Sequence, residues 1–270
     1  MARSALVDLR DSDRNKRKGK FLEDKNIYRI DDIGFGGLKL KQCPEEFCYG
    51  TDAVLLADAA SKATGSRNFR RIMDMGTGTG IIPLILSAKT KAEFIAGIEV
   101  QKRSFDLAKE NVSMNNLDER VAVYNDNVKD FLGNYPELAG SFDLVTSNPP
   151  YAKGSCAIES SNRAKAVARH EIEAELEDFL VLASKLLKDR GDFFMIHRPQ
   201  RLVDICEGCR RVKLEPKELT FINGKAQDKP NIMIVHCVKN GKRELKFNDI
   251  LTLRNEDGSF TEAALEAYKL

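Results

Sequence analysis

The residues best suited to chemistry are Asn148-Pro149-Pro150-Tyr151. Two prolines fix φ and carry no N–H, so the loop is rigid and its backbone offers acceptors only. The Asn148 side-chain oxygen adds another acceptor. A planar NH2 group can donate one hydrogen bond to Asn148 and one to the Pro149 carbonyl. That grip draws the nitrogen toward sp3 geometry and aims its lone pair at an electrophile. Tyr151 provides a ring for a flat substrate, worth about 1–3 kcal/mol for a stacked base. Without chemistry, the same four residues are a rigid turn that ends a strand.

A second group lies upstream, at Asp74-Met75-Gly76-Thr77-Gly78-Thr79-Gly80. Glycines permit positive φ and let a ligand approach the backbone. Spacing Gly76, Gly78, Gly80 is G-x-G-x-G, shorter than the dinucleotide G-x-G-x-x-G, which suits a cofactor without a pyrophosphate. Asp74 can attract an ammonium or sulfonium. Glu99 follows 25 positions later, where a carboxylate can accept both hydroxyls of a ribose. NAD and S-adenosylmethionine sites share that device, so Glu99 indicates an adenosine cofactor without naming it. Asp126 either receives the adenine amino group or caps the turn near Val128. Asn127 can add backbone contacts to the same cofactor. A sulfonium is a potent methyl donor, and in-line alignment then supplies much of the rate.

These residues need elements that bring them to one place. Arg71–Met75, Phe94–Val100, Val121–Asn125, Phe142–Ser147 and Gly191–His197 read as strands, and Leu214–Ile222 and Ile232–Lys239 as a late pair. Helices fall at Ala53–Lys62 (capped by Thr51 or Asp52), Ile81–Ala88, Gln101–Asn115, Glu173–Leu187 and Arg201–Val212. Ile27–Lys41 reads as a hairpin, and 152–169 as a loop. Alternating strands and helices make a doubly wound α/β fold with a mostly parallel sheet. Two late strands joined without a helix form an antiparallel pair at one edge. Ligands in such sheets bind beyond the carboxyl ends of the strands, where every motif above falls. The expected organisation is a basic arm and hairpin over 1–50 and a catalytic domain over 51–270.

Composition adds boundaries. The chain has 42% hydrophobic residues, 31% charged residues and a net charge of +2, as a globular domain does. No apolar run approaches the ~20 residues of a membrane helix, and no signal segment is evident. Six cysteines follow no disulfide pattern, so a reducing cytoplasm is expected. Cys206-x-x-Cys209 lacks a second pair, and no metal is expected. Charge is uneven: Arg14 to Lys20 has five basic residues in seven, and Lys185 to Lys246 has 15 Lys/Arg against 8 Asp/Glu. Basic zones suit a polyanion partner, while a plain solvated face is the alternative.

Residues of about 47–200 resemble the class I methyltransferases that act on amino groups. The chain further resembles the bacterial enzymes that make N6-methyladenosine beside the anticodon of a valine tRNA. Tyr49-Gly50-Thr51-Asp52-Ala53-Val54-Leu55-Leu56, Ala168-Arg169-His170-Glu171 and Gly258-Ser259-Phe260-Thr261-Glu262 carry that likeness. The extreme N-terminus departs from the family pattern in being unusually basic. The resemblance implies a seven-stranded Rossmann-like sheet, S-adenosyl-L-methionine as cofactor, and tRNA as partner of a cytoplasmic monomer. It implies that Thr51 and Asp52 lie near the methionine end of the cofactor, and that Arg169 and His170 contact adenine or RNA. Protein-glutamine N5 methyltransferases share the Asn-Pro-Pro-Tyr loop but have a larger helical N-terminal domain. A nicotinamide oxidoreductase would lack its fingerprint here and leave that loop idle. Intact Asp74, Glu99 and Asn148 argue against an inactive RNA-binding module.

Overall fold

A computed structural model describes residues 28–44, 49–63, 69–149 and 176–269. The arm at Arg14–Lys20, Pro150, Tyr151, Arg169 and His170 lie outside the described residues.

Strands β1 (Arg29–Asp32) and β2 (Lys39–Gln42) form the expected hairpin. Helix α1 (Thr51–Ala63) starts two residues before the expected position. Gly50 O accepts the Ala53 amide, so Thr51 and Asp52 occupy the first turn rather than a capping position. The alternation then runs β3 (Arg71–Met75), α2 (Ile81–Lys89), β4 (Phe94–Glu99), α3 (Lys102–Met114), β5 (Val121–Asn125), α4 (Phe131–Asn134) and β6 (Phe142–Ser147). After it come α5 (Leu176–Leu186), β7 (Leu187–His197), α6 (Leu202–Arg211), β8 (Leu214–Asn223) and β9 (Ile232–Lys239). Two short strands, β10 (Lys246–Phe247) and β11 (Leu251–Thr252), and helix α7 (Glu262–Glu266) close the chain.

The main sheet has the order β10-β8-β9-β7-β6-β3-β4-β5, with β11 beside β8. Its seven long strands are those expected, parallel except where β9 runs against β7 and β8. β10 and β11 were not foreseen, because two-residue strands carry no period. β7 begins at Leu187, not Gly191. Leu187 pairs with Phe142 across an irregularity, and Arg190 takes a left-handed φ of 62° before regular pairing resumes at Asp192.

Period-two alternation divides the core between two faces. Ile72, Ile95, Leu144, Phe194 and Ile196 face α1 and α2. Their neighbours Met73, Ala96, Val145, Phe193 and Met195 face α5 and α6. Each fully buried aliphatic chain contributes about 1.5–3 kcal/mol of transfer energy. α2 is buried along most of its length, and Pro83 is tolerated there because it falls in the first turn.

Helix α3 holds the hairpin to the sheet. Asn111 is fully buried; its Oδ1 accepts the Lys41 amide at 2.6 Å, and its Nδ2 donates to Lys41 O and Thr79 O, both at 2.9 Å. One turn on, Asn115 pairs both backbone groups of Lys39. Two amides therefore extend the hairpin's ladder onto a helix, and one of them also fixes the glycine loop.

Candidate functional site

The register of three adjacent strands assembles the site. Met75 is opposite Ile98 on β4 and Ser147 on β6. The next residues, Gly76, Glu99 and Asn148, therefore stand side by side at the carboxyl edge, about 5 Å apart per strand. Asp126 extends the row, since its amide donates to Glu99 O at 3.2 Å.

Between β3 and α2 the chain must reverse sharply. Gly76, Gly78 and Gly80 do so at φ of 71°, 56° and 85°, and Gly80 is the N-cap of α2. A Cβ on Gly78 would meet nothing within 4 Å, so there the backbone faces open space. Gly78 N donates to Glu99 Oε2 at 2.9 Å, and Gln101 N donates to Glu99 Oε1 at 2.8 Å. Both carboxylate oxygens are thus oriented from behind and each keeps acceptor capacity for a hydroxyl. Burial raises the Glu99 pKa, while the amides of Gln101, Gly78 and Val100 oppose that shift.

Asp74 lies beneath the loop with no exposure. Its Oδ1 accepts from Thr146 Oγ1 at 2.7 Å. Burial pushes the carboxyl up to about 7; the hydroxyls of Thr146 and Thr77 lower it, and the Glu99 charge raises it. Among the described residues, Asp74 Oδ2 has no hydrogen-bond partner, and Thr77 Oγ1 lies near it without a bond of good geometry. Buried orphan acceptors are costly unless a ligand or water completes them. A cationic group over the glycine loop would complete this one.

Asn148 is half-buried and Pro149 buried, at the end of a strand whose last four residues are also buried. The other half of the expected catalytic loop lies outside the described residues. Asp126 Oδ1 accepts its neighbour's amide, from Asn127, at 2.7 Å, and Oδ2 accepts from Asn134 Nδ2 at 2.8 Å. The capping role open to Asp126 falls instead to Asn127, whose Oδ1 accepts the Lys129 amide at 3.0 Å. Thr51 stands at the start of α1 beside Tyr268, which stacks on Phe35 at 6.4 Å. The C-terminal segment therefore backs the first turn of α1, a contact no local pattern announced.

His197, at the end of β7, lies near the same edge. Met195 pairs with Ser147, so β7 carries His197 past the Asn148 row. Its Nδ1 accepts the Arg198 amide at 2.8 Å, and burial lowers its pKa to about 4, with Arg201 adding to the shift. A neutral ring in that arrangement carries its proton on Nε2. The thiols of Cys209 and Cys237, 3.7 Å apart, lie in the core. Among the described residues no group of His, Cys, Asp or Glu is arranged to hold a metal ion. No described helix is long and apolar enough to cross a membrane.

Residues 50–201 match the methyltransferase small domain family. A Porphyromonas gingivalis protein named tRNA1(Val) (adenine(37)-N6)-methyltransferase is 30% identical over 183 residues, covering 67% of this chain and 70% of that one. The Bacteroides thetaiotaomicron protein of the same name is 33% identical over 148 residues, covering 54% and 58%. Among solved structures, a predicted O-methyltransferase of Agrobacterium tumefaciens superposes with a TM-score of 0.64 at 22% identity, covering 80% of this chain and 95% of that one. TYW2 of M. jannaschii in complex with AdoMet gives 0.54 at 16%, covering 81% and 88%. At those identities the structures bear on the fold alone.

Proposed function

Because the chain belongs to the methyltransferase small domain family, we propose that it transfers a methyl group from S-adenosyl-L-methionine to the exocyclic N6 of an adenine in tRNA. The observation that supports this is the row Glu99–Gly76–Asn148 on three adjacent strands, where a carboxylate, a glycine loop and an amide oxygen suit a ribose, a cofactor backbone contact and an amino group. The names of the relatives support the substrate.

The residues present fit the cofactor. Glu99 would take the ribose hydroxyls, Asp74 and Thr77 would answer the cationic methionine end, and Asp126 or the Asn127 backbone would meet the adenine. Thr51 and Asp52 would close on the methionine end from α1. When bound, the cofactor supplies an electrophilic methyl on sulfur. The chain supplies orientation. The Asn148 Oδ1 and the Pro149 carbonyl each accept one N6 hydrogen, which localises the nitrogen lone pair. Pro150 keeps the loop rigid, and Tyr151 stacks on the adenine. Arg169 and His170 contact the RNA. No strong base is needed, because the nitrogen becomes acidic only once alkylated, and the proton then leaves to solvent. The enzyme acts as a cytoplasmic monomer.

Incubation with total RNA and labelled S-adenosylmethionine, followed by mass spectrometry of the nucleosides, tests this. The expected product is N6-methyladenosine in the tRNA fraction. Label in a release factor instead would move the substrate to a glutamine amide, and binding of NAD without S-adenosylmethionine would end the reading.

A further inference from the structure

The basic excess between Lys185 and Lys246 is not where the reacting groups are. β7 and β8 run parallel to β6, so their amino ends and the carboxyl end of β9 lie at the far rim of the sheet. Only Arg198, Arg201, Lys225 and Lys229 of that set follow strands at the carboxyl edge, where Asp204 and Asp228 offset them. After Lys239 the chain turns and climbs the outer edge of β8. β10 pairs beside Glu218–Leu219, β11 pairs beside Ile222–Asn223, and the Arg254 amide then reaches Gly224 O. The segment thus leads from the far rim to the face that holds the site.

Its exposed side chains include three cations, Lys242, Arg243 and Lys246, against two acids, Glu244 and Asp249. None of the three cations has a carboxylate within ion-pair reach among the described residues. Lys217 reaches across from β8, donating from Nζ to Lys242 O at 3.0 Å. Beside them Phe247 is 64% exposed and Ile250 is 54% exposed, on an edge whose outer side no described strand covers. Unpaired cations around an open ring match a phosphate backbone with unstacked or terminal bases. A carboxylate-rich protein surface would engage the cations but would not need the ring.

We propose that the edge formed by Lys217, Lys242, Arg243, Lys246 and Phe247 is a docking track for the RNA substrate, touching its backbone away from the methylated base. This rests on the RNA reading above. Four strand spacings separate β10 from β6, about 19 Å, so one nucleotide cannot occupy both places. The track engages a further part of the same RNA and adds affinity without entering the reaction.

The test uses the full chain with K242E/R243E/K246E, its milder form K242Q/R243Q/K246Q, and F247A. Binding of an unmodified valine tRNA transcript is measured across a salt series, beside turnover on that transcript and on its anticodon hairpin alone. The charge variants should weaken transcript binding at least about 10-fold and lower the salt slope by about 2 to 3. F247A should weaken it about 5-fold or more. S-adenosylmethionine affinity and hairpin turnover should stay at the wild-type values, which also shows that the variants fold. Wild-type transcript affinity and slope in both charge variants would overturn the proposal. Equal losses on transcript and hairpin would do the same, by placing the effect at the reacting end. Retained transcript binding with loss of an acidic protein partner would assign the edge to that partner and overturn the RNA track. If the wild-type protein binds no RNA, the functional reading fails first, and that result is separable because it needs no variant.

Discussion

Thr146 Oγ1 donates a 2.7 Å hydrogen bond to Asp74 Oδ1, and neither residue is exposed. The two are register partners on β6 and β3. One bond therefore links the acid under the glycine loop to the strand that presents Asn148, two residues further on. Thr146→Val keeps the shape and removes the donor. Asp74 then loses its hydrogen bond from Thr146, the stronger of the two hydroxyl influences that hold its pKa down, and its pKa rises further. S-adenosylmethionine binding at neutral pH should weaken about 10-fold, as for loss of one buried hydrogen bond of about 1.5 kcal/mol to a charged group. Thr146→Ser should restore it. Calorimetry on the three proteins checks this, and equal affinities would remove the link.

The pH dependence follows from the same carboxyl. Asp74 titrates near 7 in the fold, against 3.8 for an ordinary aspartate. Between those values the folded protein holds a proton that the unfolded chain has released. Stability without ligand should therefore fall as pH rises through that window. A cationic ligand favours the ionised form, so cofactor affinity should rise with pH and level off above about 7. Asp74→Asn should flatten both trends. Thermal melts and cofactor titrations from about pH 5 to pH 8 measure them.

Asn148→Ala removes one of the two acceptors proposed for the reacting amino group and leaves the glycine loop untouched. Turnover should drop by at least about 10²-fold, comparable with losing one oriented catalytic hydrogen bond. Cofactor affinity should remain within about two-fold, since Glu99 and Asp74 keep their partners. Transfer of labelled methyl to tRNA is the readout; unchanged turnover would end the proposed role.

Glu99→Gln tests whether the carboxylate is required as an acceptor on both sides. Glu99 Oε2 faces the Gly78 amide and Oε1 faces the Gln101 amide. A glutamine must turn its NH2 toward one of these donors, stranding it at a cost of about 1–3 kcal/mol. Cofactor affinity should fall about 10-fold or more, with a lower melting temperature even without ligand. A loss of affinity with no loss of stability would place Glu99's contribution in the ligand contact alone.

Much of this was legible in the sequence because it is local. Strand and helix periods, the G-x-G-x-G spacing, a carboxylate at the end of the next strand and two consecutive prolines each express a backbone constraint that operates within a few residues. Those signals determined the doubly wound sheet, the edge at which such sheets take ligands, and the candidates Asp74, Glu99 and Asn148. What the tertiary structure alone decided depends on which strand lies beside which. The register of β3 between β4 and β6 made Gly76, Glu99 and Asn148 neighbours, although 72 positions separate the first from the last. The Asn111 amide that ties the hairpin to the glycine loop, Tyr268 beside Thr51, and the placing of Lys242 and Phe247 away from the site are long-range contacts of the same kind. No periodicity encodes them, because they are set by how two core faces pack on one sheet rather than by the conformation of any single segment.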